Sequence, residues 1–327
     1  MVSVIVPTYR RPQSLLRCLY TLQAQTLADF EILVVDNAAD AVVRRTVAEF
    51  NEGAKVPALY MPEPQLGVHT ARHTGARSAK GEILVFTDDD TTFAPKWLES
   101  YVEAFANHAN MVAAGGPVLP VWESPPPRWL LEFIGDATTF GVLSLMEPYQ
   151  GFSLDSKNFF FSLNMAIRRD VLFEMGGFNP ESFGDTWLGD GETGLNRKIT
   201  RVGLPIGYVP NALVYHHVPS SRMTPAYFRK RQANQGACMA YSRYHESIPR
   251  PVCLIARMVK LALRNSPEWA RAALLWNRTS RVALDAQMRA ASSFSEIGYI
   301  LKLMRSSDFR ALVTRRDWIN SEQPLIK

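Results

Sequence analysis

Three consecutive carboxylates, Asp88, Asp89 and Asp90, close a short apolar, β-branched run from Ile83 to Thr87. Such a run reads as a buried strand. Like charges a few ångströms apart repel, so the trio needs a counter-charge. A hard divalent cation on oxygen ligands, with the phosphates it holds, supplies one. The alternative is a solvated acidic turn, because Asp favours turns.

The elements that must position this corner follow from periodicity. Val2 to Pro7 reads as a first strand, and Pro12 to Gln25 as a helix with Leu15, Leu16, Leu19 and Leu22 on one face. Phe30 to Val35 is a second strand ending at Asp36-Asn37. Ala41 to Phe50 suits a helix, Leu59 to Met61 a third strand, and Val68 to Ala79 another helix before the Ile83 strand. This alternation predicts a parallel sheet with crossover helices. Ligands of such sheets sit at the carboxyl ends of strands. Thr8 to Arg10, Asp36 and the Asp88 trio all fall at such ends, so they converge on one crevice.

Further along, Pro117 to Tyr149 reads as an irregular loop over the crevice, and Asn158 to Arg168 as a strand. Asp170 to Met175 reads as a helix stopped by Gly176-Gly177. Thr193 to Val202 is an amphipathic helix, and Ile206 to Tyr215 a last strand delivering His216 and His217. Beyond Pro225 the chain reads as all-helical.

The chain has 327 residues, 47% hydrophobic and 20% charged, enough for one large α/β domain with an appendage. Cys18, Cys238 and Cys253 are unclustered, which suggests neither a disulfide framework nor zinc, and a reducing cytoplasm is expected. The start runs directly into a strand, so no signal peptide is expected. No apolar stretch reaches the length of a spanning helix. The net charge of +5 conceals an asymmetry. Residues 220–327 carry 19 Lys+Arg against 7 Asp+Glu, while the remainder carries 17 against 24. A basic final third points to an anionic partner. Arg250, Arg257, Arg264, Arg271 and Arg278 recur every seven residues, with Lys260 between. Over Arg250 to Arg264 they form a basic face opposite Leu254, Ile255, Met258 and Leu261, with Pro267 expected to break the helix. Helices packed on the body with solvated basic faces are one reading. Attachment to an anionic membrane is the other.

Four ordered blocks carry a resemblance: VSVIVPTYRRPQSLLRCLYTLQAQTLADFEILVVDNA, LGVHTARHTGARSAKGEILVFTDDD, NMAIRRDVLFEMGGF and GDGETGLNRKITRVG. Together they resemble an inverting glycosyltransferase of family 2 with the GT-A fold, over roughly residues 1–235. The resemblance implies a GT-A domain over 1–220, with donor binding in 1–115 and the acceptor side in 116–220, followed by a basic helical region over 221–327. It implies a nucleotide-diphosphate sugar donor, with a UDP-sugar favoured, and Mn²⁺ or Mg²⁺ as cofactor. A glycan or lipid-linked acceptor and a role in polysaccharide assembly are expected; nucleic acid is not. The implied station is cytoplasmic, with the inner face of the cell membrane as the sharper alternative.

Residue by residue, the resemblance places Pro7, Thr8, Tyr9 and Arg10 at the nucleotide, where a ring and backbone groups contact a base. Asp36 resembles the base-binding carboxylate, able to accept from an imide N–H; otherwise it caps a helix. Arg72 resembles the arginine of the family's ARN block, with His73 in place of the asparagine. Asp88 would hold the ribose hydroxyls and, with Asp90, the metal; Asp89 is the variable middle residue. An inverting displacement needs a base for the acceptor hydroxyl. Asp190-Gly191-Glu192 stands where an adjacent acidic pair is usual. Aligning Thr193 and Leu195 puts Glu192 in the base position, with Asp190 the alternative. His216 or His217 resembles a histidine that approaches the metal. Arg222 could reach the diphosphate, and Asn164 and Phe161 are expected on the acceptor side. A sugar nucleotidyltransferase or a dehydrogenase would want a Gly-rich phosphate loop after the first strand, which VPTYRRP lacks. A non-catalytic nucleotide-sugar or anion-binding module is the remaining alternative.

Overall fold

The structure, a computed structural model, describes residues 1–147, 151–183, 186–187 and 189–320. The chain opens with β1 (Val2–Thr8), α1 (Pro12–Gln23), β2 (Phe30–Asp36), α2 (Ala41–Asn51), β3 (Ala58–Pro62), α3 (Val68–Ser78) and β4 (Ile83–Thr87). Every residue of β1 is buried, as befits a strand covered on both faces by helices. Pro12 starts α1 where a missing N–H costs nothing, and Leu15, Cys18, Leu19 and Leu22 form its buried stripe. The strands β3, β2, β1 and β4 lie side by side and parallel, with Thr8 in register with Asp36. The carboxyl ends of β1, β2 and β4 therefore share one edge.

Next come β5 (Thr91–Phe93), α4 (Trp97–Asn107), β6 (Ala113–Gly115), β7 (Val118–Trp122), α5 (Arg128–Ile134), β8 (Thr139–Phe140), β9 (Leu145–Met146) and β10 (Ser153–Asp155). They are followed by β11 (Asn164–Arg168), α6 (Arg169–Glu174), β12 (Ser182–Phe183), β13 (Thr186–Trp187), α7 (Gly191–Arg201), β14 (Ile206–Tyr208) and β15 (Val214–Val218). The main sheet has the order β10-β14-β6-β11-β4-β1-β2-β3, and β11 runs antiparallel to both neighbours. A second sheet has the order β5-β15-β7-β9-β8, and its strand β5 begins directly after the Asp88 trio.

Three expectations are corrected. Residues 117–147 are not an irregular loop, because β7 pairs with β15 and α5 packs over the core through Leu130; residues 148–150 lie outside the described residues. The strand expected over Ile206 to Tyr215 is two strands in different sheets, since Pro210 and Asn211 turn the chain between them. The strand from Asn158 begins only at Asn164, and Asn158 instead holds the carbonyl of Ile206.

The last stretch is helical: α8 (Pro225–Ser247), α9 (Pro251–Leu274), α10 (Arg281–Arg305) and α11 (Ser307–Thr314). Phe228, Leu284 and Met288 join the core of the sheets, so these helices share a hydrophobic interior with the body. Pro267 lies inside α9 and does not end it. The outward faces of α9 also differ from expectation. Arg257 turns inward to the buried Glu296 at 2.8 Å, and Ile255 turns outward.

Candidate active site

The Asp88 corner is a cavity of about 420 Å³ whose walls include Thr8, Tyr9, Asn37, Leu66 and Gly67 beside the three aspartates. Thr8, the last residue of β1, donates through Oγ1 to Asp89 Oδ2 at 2.7 Å. Arg11 Nη1 donates to Asp89 Oδ1 at 3.0 Å and to Asp90 Oδ2 at 2.9 Å. Arg222 Nη2 reaches the same Asp90 oxygen at 2.8 Å. Burial pushes the Asp89 carboxyl up to about 7 against the pull of Arg11. Burial acts the same way on Asp90, but the charges of Arg222 and Arg11 oppose it, and the group is held well below the usual carboxylate range.

His216 and His217 part company because successive residues of β15 face opposite ways. His216 is buried, with Nδ1 donating to the carbonyl of Leu143 at 2.9 Å and Nε2 lying 3.6 Å from Asp90 Oδ1. Arg222 Nη1 lies 2.8 Å from that Nε2. A guanidinium only donates, so Nε2 offers its lone pair. His217 points to the other side, where Nε2 meets Thr92 Oγ1 at 3.1 Å. The expectation that His217 approaches the metal is therefore corrected. A carboxylate and an imidazole lone pair, with the ring's other nitrogen fixed by a backbone carbonyl, form a donor set that suits a divalent cation. Asp90 and His216 would hold it, with Asp88 at the rim.

Asp36 is fully buried and does not line the cavity. Its Oδ1 accepts from the N–H of Ala38, and its Oδ2 from the N–H of Asp40 and the hydroxyl of Tyr60. It ties down its own turn, while Asp40 caps α2 and the neighbouring Asn37 reaches the cavity. Arg10 also stays outside the wall. Its guanidinium lies over the exposed Tyr9 ring at 5.3 Å, and Arg11 takes the place expected of it.

Arg72 is buried on α3 and joins two sites. Its Nη2 donates to Asp88 Oδ1 at 2.6 Å, and its Nη1 to His69 Nδ1 at 3.2 Å. His73, one position on, accepts from the N–H of Phe178 and is a packing residue. Across His69, Nε2 lies 3.7 Å from Glu192 Oε2 and 3.9 Å from Glu181 Oε1. These three ligand atoms lie within 4.8 Å of one another, a spacing that could admit an ion. The hydrogen-bond roles argue otherwise. Arg72 claims the Nδ1 lone pair, so the proton sits on Nε2 and faces the carboxylates. Burial keeps this ring below the ordinary histidine range, with Arg72 adding to the effect and Glu181 opposing it.

Glu192 and Glu181 border a second cavity of about 490 Å³, walled by Phe140, Phe159, Phe161 and, from α8, Arg231 and Gln235. Burial, then the charge of Glu181, pushes the Glu192 carboxyl up. Burial pushes Glu181 up too, but His69, Arg231 and Arg72 outweigh it and hold that group low. Asp190 is oriented differently. Its Oδ1 accepts from Asn179 Nδ2 at 2.8 Å and its Oδ2 from Ser242 Oγ at 2.6 Å, so it anchors α7 to α8. Gly191 between them has φ +51, and a Cβ there would stand 2.5 Å from His69 Nε2 and 2.7 Å from Glu181 Cγ. The interrupted acidic pair thus has a physical cause: Glu181 fills the volume a side chain at 191 would need.

Asn164 does not serve the acceptor side. It is fully buried, and its amide is spent on Trp97, Tyr101 and the carbonyls of Pro117 and Ala212. Phe161 does reach the second cavity. Sequence reasoning missed Arg11, His69, Glu181 and Arg231. Arg11 was within reach, one residue past the turn at Arg10. The other three lie far apart in the chain and carry no local signature.

The family model for glycosyl transferase family 2 matches residues 3–176. The chain belongs to that family. It is 27% identical over 183 residues to a glucosyl-dolichyl phosphate glucuronosyltransferase of Haloferax volcanii, covering 55% of this chain and 56% of that protein. It is 28% identical over 238 residues to the succinoglycan biosynthesis protein ExoM of Rhizobium meliloti, covering 72% of each. A validoxylamine A glucosyltransferase of Streptomyces hygroscopicus is 28% identical over 225 residues, covering 63% of this chain and 53% of that one. The chain thus spans little more than half the length of the first and third of these family 2 relatives. Among solved structures it resembles the mannosyltransferase PcManGT of Pyrobaculum calidifontis, in complex with GDP-Man and Mn²⁺. The TM-score is 0.56 at 19% identity, over 90% of this chain and 86% of that one. That likeness gives this family 2 member the GT-A fold.

Proposed function

We propose that this protein transfers a sugar from a nucleotide-diphosphate sugar to an acceptor hydroxyl, inverting the anomeric centre in a single displacement. The observation that carries the reading is the spatial division of labour. A cation-ready acidic cavity and an aromatic cavity with a raised carboxyl are joined by the chain Asp88, Arg72, His69, Glu192.

The donor's diphosphate lies at Asp88 to Asp90, with Arg11 and Arg222 as side-chain counter-charges and the base between Tyr9 and Leu66. UDP-sugars are the first donors to test, and GDP-mannose, bound by PcManGT, is the second. Asp90 and His216 would hold a Mn²⁺ or Mg²⁺ ion, which would supply Lewis-acid neutralisation of the departing diphosphate. The acceptor enters beside Phe159 and Phe161, whose faces suit a sugar ring. Glu192 takes the proton of the acceptor hydroxyl as its oxygen bonds to the anomeric carbon. The bond from that carbon to the diphosphate oxygen breaks, and the electron pair leaves with the nucleoside diphosphate. A raised pKa fits a base that works near neutrality.

The acceptor class is a glycan or a lipid-linked glycan, as in envelope or exopolysaccharide assembly. A lipid-borne acceptor would keep the enzyme at a membrane face. No helix among the described residues is long and apolar enough to cross a membrane. A donor panel with Mn²⁺, read as thermal stabilisation and then as nucleoside diphosphate release, tests the reading. Stabilisation by one donor, and product release lost in Glu192→Gln, is the expected result. Release unchanged in that variant contradicts the assignment.

A further inference from the structure

Helix α9 carries two apolar lines. Leu254, Leu261 and Ala272 form the inner one, buried with α8 and α10. The outer one is Val252, Ile255, Val259 and Leu263, left 66%, 47%, 53% and 74% exposed. Leu274 at the helix end is 84% exposed and continues it. At 100° per residue these side chains share one stripe on the side away from the body. Lys260 and Arg264 stand exposed along one edge of that stripe. From Ser247 to Pro267 the sequence contains no Asp or Glu, and the inward Arg257 already has its partner in Glu296. Solvated surfaces do not align four aliphatic side chains with so little polar relief.

We propose that this outer face of α9 docks on an anionic lipid bilayer, with the aliphatic stripe at the acyl boundary and Lys260 and Arg264 on the headgroups. Charge complementarity decides the occupant. Among the described residues no carboxylate pairs with Lys260 or Arg264, and such cations beside aliphatic side chains match an interfacial helix. A protein interface would centre on buried aromatic or arginine anchors, which the stripe lacks. The inference deepens the membrane location in the proposed function by naming the face that makes it. It stands or falls separately from the transferase reading, since vesicle binding requires no donor.

The test is sedimentation of the full chain with vesicles of phosphatidylcholine, alone or mixed with phosphatidylglycerol. The wild type is expected to pellet with the anionic mixture, much less with phosphatidylcholine alone, and less as salt rises. Val259→Ser with Leu263→Ser should lose binding at any salt. Lys260→Gln with Arg264→Gln should lower partition about fivefold for each cation removed. All four side chains are exposed, so circular dichroism should show both doubles folded. Failure of the wild type to pellet, or pelleting equal in either double, overturns the proposal. So does a wild-type dimer in light scattering that Val259→Ser with Leu263→Ser dissociates, because a second copy then covers the stripe.

Discussion

His216 presents Nε2 to Asp90 at 3.6 Å while its Nδ1 is held by the carbonyl of Leu143. His69, in the same protein, has the opposite arrangement: Arg72 occupies Nδ1, and Nε2 carries a proton toward Glu181 and Glu192. One histidine is thus wired as an electron-pair donor at the acidic cavity. The other turns its N–H toward the base, 3.7 Å from Glu192 and without a hydrogen-bond partner among the described residues. Hydrogen-bond partners on the other ring nitrogen fix the tautomer, and with it the chemistry a histidine can take part in.

The first prediction concerns the two neighbouring histidines of β15. Replacing His216 by Ala should weaken Mn²⁺-supported UDP binding about 10–100-fold, in line with loss of a well-oriented metal contact. His217→Ala should leave it unchanged, because that ring faces Thr92. Isothermal titration calorimetry of both variants checks the pair.

A second prediction concerns pH. Glu192 must be deprotonated to act, and burial together with the charge of Glu181 raises its pKa. The acid limb of the rate profile should therefore lie above the usual carboxylate range. Removing the neighbouring charge with Glu181→Gln lowers the pKa of Glu192, so the limb should move to lower pH. A limb that stays put would remove Glu181 from the account.

Asp190 and Glu192 should separate by what they damage. Asp190→Ala leaves Asn179 and Ser242 without their buried acceptor and should cost about 2–4 kcal/mol in urea unfolding. Glu192→Gln should abolish transfer with little change in stability or UDP affinity. A stable Asp190→Ala enzyme lacking activity would reverse the two roles.

Gly191→Ala tests the cause of the interrupted acidic pair. Its left-handed φ and the contacts a Cβ would make with His69 and Glu181 predict a loss of about 1–3 kcal/mol. Placing a carboxylate there by Gly191→Glu should be worse, and Glu181→Ala should relieve it only in part, since His69 Nε2 and the left-handed φ remain. Thermal melts of the single and double variants decide this.

The early half of the fold was legible because parallel strands and crossover helices have strong, local periodicity. The expected strand at Ile83 to Thr87 matches β4 residue for residue. The second sheet was not legible, since β8 and β9 have two residues each and β5 and β7 pair with β15, far along the chain. At the site, strand ends were readable and side-chain directions were not. Asp36 looked available, and its oxygens belong to its own turn; Asn164 looked like a wall, and it is a buried brace. Glu181 and His69 matter only because α3, α7 and the segment before β12 meet in space. The heptad of arginines in the tail does not form one solvated face, because Arg257 finds an acid 39 residues away.

The central claim is that the Asp88 to Asp90 corner binds a cation which in turn binds a pyrophosphate. UDP titrated calorimetrically into the protein, with Mn²⁺ or with EDTA and in Asp90→Asn, tests it most directly. The account predicts binding with Mn²⁺, and its loss both in EDTA and in the variant. Equal UDP affinity under all three conditions would contradict it.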